Sequence, residues 1–442
     1  MTRLLLALLM AFSILCTGCE LDLLGSSSDS SSADAGKLDK SFNDPFGFAV
    51  LPDDSGADVS FERAAVQGDG KIVLAGSVCD NATDCDILVA RYLSDGTLDA
   101  GFGQDGVVTY SAGVNTDDLG QALALASNGR ILVAGHTSSS SGIFPIVVRL
   151  TSSGVLDTSF GIDGAAIVPL ADGVMADIEA MAVQDDGKIV ACGRSVSGTR
   201  SGPGKIWRLT ASGALDSTFA SNGVYDDVSG AVSRLTGIGL NGDGTIVATG
   251  SSSSTINGQI KVLALRLTAL GKLDTSFGSG GHATWADPDE ETAMSWAMAI
   301  ASDGSIFTAG YLATSGGGRD FLVLKFKRAG SLDTGFADDG AFIKDYEELD
   351  QLSSLALQSD GRVVAAGFVN DEAAARLAVI RLLASGQLET GFADEGLFLY
   401  PESGGAETFG AGLAAQTGNG LVACGRTDGG EALEGLVLRL KK

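Results

Sequence analysis

Between Val107 and Phe160 the chain alternates short apolar runs with clusters of turn residues, and no helical period emerges. Val107 to Ser111 is a β-rich run, and Asn115 to Asp118 breaks it. Gln121 to Ala126 reads as a strand of small residues, Asn128-Gly129 as a hairpin turn, and Arg130 to Thr137 as the returning strand. After a Ser-rich loop, Ile146 to Thr151 supplies another strand, and Ser152 to Phe160 turns into the next unit. Four strands in fewer than sixty residues predict one antiparallel blade of a β-propeller.

The unit recurs. Leu156-Asp157-Thr158-Ser159-Phe160-Gly161 has close copies beginning at Leu38, Leu98, Leu215, Leu273, Leu332 and Leu388, at spacings of 56 to 60 residues. A fixed period of this length marks a repeat architecture, so residues 38–442 are expected to form one domain. Each repeat has its own Asp-Gly or Asn-Gly pair, from Asp69-Gly70 to Asn419-Gly420, and type I′ hairpin turns are predicted there. The strand before each pair is rich in small side chains and is assigned innermost, where space converges. The runs Ile72 to Ala75, Ile131 to Ala134 and Val363 to Ala366 follow it and lack polar alternation, as strands covered on both faces do. The final repeat stops without an outer strand, while Leu38 to Leu51 has an outer-strand turn with no inner strands before it. The expected fold is therefore all-β: a seven-bladed β-propeller of four-stranded antiparallel blades, its ring closed by the N-terminal strand.

The unit Asp186-Gly187-Lys188-Ile189-Val190-Ala191-Cys192-Gly193, followed by Arg208-Leu209 and Gly213-Ala214-Leu215-Asp216-Ser217-Thr218-Phe219, resembles the delta-60 repeat family of bacterial surface and secreted proteins. The resemblance implies a β-propeller and no shared activity.

Composition fits many short buried strands joined by tight turns: 62 Gly, 7 Pro and a 45% hydrophobic fraction. A net charge of -26 argues against nucleic acid or an anionic membrane surface as the partner. Arg3, the apolar run Leu4 to Leu15 and the small residues before Cys19 read as an export signal over residues 1–18. Leu15-Cys16-Thr17-Gly18-Cys19 resembles a bacterial lipobox, with Cys16 where Leu is usual. That resemblance implies a lipid on Cys19 and a place in the cell envelope, at the outer membrane or cell surface. Residues 19–37, with the Ser-rich stretch GSSSDSSSADAG, are read as a flexible tether.

Each repeat offers one base, Arg91, Arg149, Arg208, Arg266, Lys325, Arg381 or Arg439, and one acid, Asp39, Asp99, Asp157, Asp216, Asp274, Asp333 or Glu389. Charge survives where Arg becomes Lys and Asp becomes Glu, so structural ion pairs are expected. Cys79 and Cys85 flank a short loop and are expected to form a disulfide in an exported protein. Cys192 and Cys424 occupy equivalent places in separate repeats and are assigned as small core residues. His136 and His282 are the only histidines, too few for a zinc site or a Ser-His-Asp hydrolase, and no phosphate loop is present. Acids crowd the connections from outer to next inner strand. Asp287, Asp289, Glu290, Glu291, Asp345, Glu347, Glu348 and Asp350 are the densest group, a candidate face for weak calcium binding or a basic partner against the alternative of a solvated rim.

The functional expectation is a non-catalytic, lipid-anchored binding or scaffold propeller of the bacterial cell envelope. It is a monomer with no cofactor, held to the membrane by its N-terminal lipid and taking a protein or glycan on its face. The competing reading is a carboxylate- or calcium-dependent hydrolase or lyase at the channel mouth.

Overall fold

The computed structural model describes residues 34–442 apart from 52–55, 82–83, 115, 198–199, 256–257, 290, 371–373, 402–405, 417–419 and 431. The export signal, Cys19, most of the tether and Glu290 therefore lie outside the described residues. Among those described, no helix is long and apolar enough to cross a membrane.

The described chain is all-β and is built from four-stranded antiparallel sheets. In the first, Asp58–Val66 is innermost, followed outward by Ile72–Asn81, Asp84–Tyr92 and Val107–Tyr110. The later innermost strands are Asp117–Leu125, Val174–Val183, Val232–Leu240, Thr292–Ile300, Leu349–Leu357 and Thr408–Gln416, and their sheets are numbered second to seventh in that order. One parallel pairing, Arg319 with Leu349, joins the fifth sheet to the sixth. The outermost strand of the seventh sheet comes from the other end of the chain: Phe48–Leu51 pairs antiparallel with Leu433–Leu440.

Two local expectations are corrected. The innermost strand of the second sheet begins at Asp117, ahead of Gln121, because Asp117 to Gly120 already pair with Ser138 to Gly135. Buried Asp118 tolerates this place because its carboxylate accepts the Ala112 N–H (2.6 Å) and the Thr116 hydroxyl (2.9 Å), tying down the preceding connection. The hairpins are also not type I′. Only the Gly of each described pair has positive φ (Gly70 86°, Gly129 80°, Gly187 80°), so each is a three-residue loop with a left-handed Gly at its end. The Asp or Asn acts through its side chain: Asp69, Asn128, Asp186 and Asp243 each accept the backbone N–H two residues on, at 3.0–3.2 Å.

The core lies between sheets, which explains why the second strands lack alternation. Each of seven apolar clusters joins two neighbouring sheets, and one of them packs Phe61 and Leu74 of the first sheet against Val422 and Val437 of the seventh. Turns clip the same neighbours together. The backbone N–H after each motif Phe donates to a carbonyl in the next turn: Asn43 to Asp95, Gly103 to Ser153, Gly161 to Ser212, Ala220 to Leu270, Gly278 to Ala329, Ala337 to Ser385 and Ala393 to Ala35 (2.6–2.9 Å). Ala35 thus takes, from the other end of the domain, the place that the next repeat's turn takes elsewhere, and Gly36 N–H donates to the Lys441 carbonyl (2.8 Å). The folded body begins ahead of the boundary placed at Leu38.

Every sheet consequently has two unlike ends. The Asp-Gly hairpins and Leu-Asp-x-x-Phe turns gather at one end, and the hairpins between second and third strands gather with the connections between sheets at the other.

Candidate functional site

Each of the seven repeats brings its base and its acid together in an ion pair. Arg91–Asp99, Arg149–Asp157, Arg208–Asp216, Arg266–Asp274, Lys325–Asp333, Arg381–Glu389 and Arg439–Asp39 all lie at 2.7–3.0 Å. Each Arg guanidinium also covers its motif Phe, as Arg149 does Phe160 at 4.5 Å. The Arg149 Nη1 then donates to the Ala211 carbonyl in the next repeat (2.5 Å). Lys71, Arg130 and Arg362, placed just after the hairpin Gly or its equivalent, add a second cation to the same carboxylates. The Cys79–Cys85 disulfide is present, and Cys192 and Cys424 are buried free thiols on separate sheets.

The acids singled out in the fifth and sixth repeats take unlike positions. Asp287 and Asp350 are buried. Asp287 accepts the Asp289 N–H (2.8 Å), and Asp350 accepts those of Tyr346 and Glu347 (2.7 and 3.2 Å), so both carboxylates fold loops. Burial pushes the Asp350 carboxyl up to about 6, against those two N–H bonds and with repulsion from Asp345 and Asp320 added. Glu291 accepts the Ser315 N–H at 2.9 Å. Among the described residues no group of three or more His, Cys, Asp or Glu is disposed to hold a metal ion.

A different set of side chains comes from the first strand of each sheet and its neighbour. All seven innermost strands carry one extra residue in register: Glu62, Gln121, Glu179, Thr236, Trp296, Ser353 and Ala411. A bulge bends the strand and re-aims its side chains. It also drives a carbonyl against the facing second strand, where each repeat has Gly. At Gly193 an added Cβ would fall inside contact distance of the Asp177 carbonyl oxygen, and at Gly310 of that of Met294. The residue after that Gly is free of such a demand, and it varies: Ser77, His136, Arg194, Ser251, Tyr311, Phe368 and Arg426.

These bulged and post-glycine positions, with the strand residues beside them, meet near the ends where sheets connect. Arg63 of the first sheet donates through Nη2 to the Glu179 carbonyl of the third (3.5 Å). Glu179 is buried and accepts Arg234 Nε and Nη2 from the fourth sheet (2.9 and 2.5 Å). Burial raises its carboxyl, and Arg234 opposes that rise. Arg234 in turn lies over Trp296 of the fifth sheet (4.4 Å). Asp177 holds Arg194 at 2.9 Å, and His136 meets Gln121 at 3.2 Å. Burial lowers the His136 pKa, so its imidazole stays neutral at pH 7. On the far side Arg319 lies over Tyr311 (4.4 Å) and donates to Gln351 Oε1 of the sixth sheet (3.1 Å). Phe368 and Phe409 meet edge to face at 5.2 Å, and Arg426 lies over Phe409 at 5.0 Å. The first, third and fourth sheets thus bring charged side chains to the mouth, the second a neutral His136–Gln121 pair, and the last three aromatic rings and guanidinium groups. Trp296 Nε1 and Arg426 Nε are buried with no acceptor among the described residues.

None of these mouth residues belongs to the repeat motif, so reading the repeat did not find them. The usable signal was the opposite one: the variable residue immediately after an otherwise constant Gly.

The family model described as a domain of unknown function (DUF5122) beta-propeller matches six stretches, 67–102, 126–160, 184–219, 242–277, 301–336 and 358–392. No curated protein matches the chain. Among solved structures, a polysaccharide lyase of a new family, an ulvan lyase bound to -[GlcA(1-4)Rha3S]-, is 11% identical over 87% of this chain and 95% of that one, with a TM-score of 0.51. A protein of unknown function from Dyadobacter fermentans is 11% identical over 90% and 98% (TM-score 0.47), and Sqt1 of Chaetomium thermophilum, bound to the N-terminus of ribosomal protein L10, is 13% identical over 89% and 98% (TM-score 0.47). At these identities the likeness is one of fold.

Proposed function

Taking the chain as a β-propeller repeat protein, we propose that it is a non-catalytic binding propeller of seven blades in a ring closed by Phe48–Leu51, anchored in the bacterial envelope through a lipid on Cys19, with its ligand held at the axial mouth. The observation that carries this reading is the gathering of Arg63, Glu179, Arg194, Arg234, Trp296, Tyr311, Phe368 and Arg426, none of them set by the repeat motif, at one mouth. A scaffold needs none of Arg63, Glu179, Arg234 and Trp296. A binding site needs such a mixture of rings and orienting polar groups. The pairs Arg234–Glu179 and Arg194–Asp177 leave these acids engaged, unlike an acid and base poised for turnover.

The test is a panel of glycans and peptides applied to the purified chain, with intrinsic fluorescence reporting on Trp296. A bound member should lose its signal in Trp296→Ala while the melting temperature holds and the bound molecule is recovered unchanged. Recovery of a cleaved product, more so if a chelator stops it, would favour the hydrolase or lyase. For the anchor, Cys19→Ala should leave an unprocessed or soluble species, and unchanged detergent-phase partitioning would refute the lipid.

A further inference from the structure

Resting on the mouth as the binding site, we infer that the half built by the fifth, sixth and seventh sheets takes an anionic sugar unit, a ring bearing a carboxylate or a sulfate. The chain has 55 acidic and 29 basic residues, so a cation without a carboxylate beside it is unusual here. Arg319 and Arg426 are two such cations among the described residues, both half-buried and both at the mouth. Arg319 has one amide oxygen, that of Gln351. Arg426 has only the face of Phe409, and its Nε–H finds no acceptor.

A guanidinium laid on an aromatic ring has its plane fixed and its N–H groups directed sideways, the arrangement that takes an oxyanion through paired hydrogen bonds. A partly desolvated cation without a counter-ion is unfavourable, and an incoming oxyanion relieves it. Phe368 and Phe409 stand at the same level and offer apolar surface to the C–H face of a sugar. The Gln351 amide and Ser353 hydroxyl lie beside them for the ring hydroxyls, which an aromatic acid would leave unmatched. The bulged and post-glycine positions of these three sheets, Trp296, Tyr311, Ser353, Phe368, Ala411 and Arg426, hold no carboxylate, while Asp320, Asp345 and Asp350 lie on and beside the same sheets. The molecule is strongly negative, so an acidic glycan gains nothing from its general surface, and its attraction comes from direct contact with Arg319 and Arg426.

The experiment is calorimetry on the full chain at physiological salt with three probes: a galacturonate trimer, the neutral galactose trimer and benzoate. The galacturonate trimer is expected to bind and the other two to bind at least tenfold more weakly. Arg319→Gln and Arg426→Gln should each weaken the galacturonate trimer by about tenfold or more, as loss of a charged hydrogen bond does. Arg426→Lys should recover only part of it, and the melting temperature should stay within a degree or two for all three. If the galactose trimer binds as tightly, untouched by the Arg variants but lost in Trp296→Ala, the anion inference falls and the mouth survives. Equal affinity for benzoate would overturn the sugar. Galacturonate binding indifferent to Trp296→Ala and to both Arg variants would remove the mouth as well, and no heat with any probe would overturn the inference.

Discussion

At the scale of single residues, the most demanding position is the glycine opposite each bulge. Gly193 is required by space, since its φ is unremarkable and the Asp177 carbonyl occupies the place of a side chain. Gly193→Ala should cost about 3 kcal/mol or more, because neither strand can retreat without opening an interface between sheets. Gly68→Ala is the control: a Cβ there meets nothing within 4 Å, and removing backbone freedom from the unfolded chain should leave stability unchanged or slightly higher. Chemical denaturation of the two variants checks the pair, and equal midpoints would show that the bulge yields. The same glycine carries a functional implication. By letting the carbonyl in, it sets the direction of the residue that follows, so Arg194, Tyr311 and Arg426 are aimed by a neighbour that touches no ligand.

At the scale of elements, Phe48–Leu51 does two jobs. It pairs along the otherwise open edge of the seventh sheet, Phe48 with Leu438 through Leu51 with Gly435, and the turn before it buries Phe42 completely. Removing residues 34–51 would expose that edge and take Phe42 out of the cluster shared by the seventh and first sheets. The truncated chain should melt lower and over a broader range, and should self-associate. An unaltered transition by calorimetry and light scattering would show that the strand is dispensable. Strands and turns of this kind were legible in the sequence because local chemistry dictates them: Asp69 with Gly70 folds its hairpin wherever it stands, and Asp157 needs only Ser159 and Arg149 nearby. The bulges were not legible, since the extra Glu62 or Trp296 is defined only against a partner strand. The mouth was harder still. Arg63 and Glu179 are 116 residues apart, and neither belongs to a motif. The polar run Asp117-Asp118 was read as a break because the pattern does not reveal that Asp118 finds its donors after burial.

At the scale of the molecule, the ion pairs set a pH limit. The Ser159 hydroxyl, working against burial and joined by Arg130 and Arg149, holds Asp157 well below the usual carboxylate range. Asp39, Asp99, Asp216, Asp274 and Asp333 are lowered too. A carboxylate more acidic in the folded than in the unfolded chain contributes stability that is full above about pH 4 and is lost as pH falls through its folded value. Asp350 works in the opposite sense: pushed up to about 6, it is neutralised on acidification and regains stability between about pH 7 and 4. The melting temperature should therefore peak near about pH 5 and drop steeply below about pH 4. Calorimetry from neutral to acid would contradict this by showing a peak at neutral pH or no acid loss. The two unlike ends of the sheets have one more consequence. Ala35 and Gly36 join the body among the Asp-Gly hairpins and Leu-Asp turns, whereas the aromatic and arginine side chains cluster toward the connections between sheets. A molecule approaching the mouth therefore meets the connections between sheets and not the segment by which Ala35 and Gly36 join the fold.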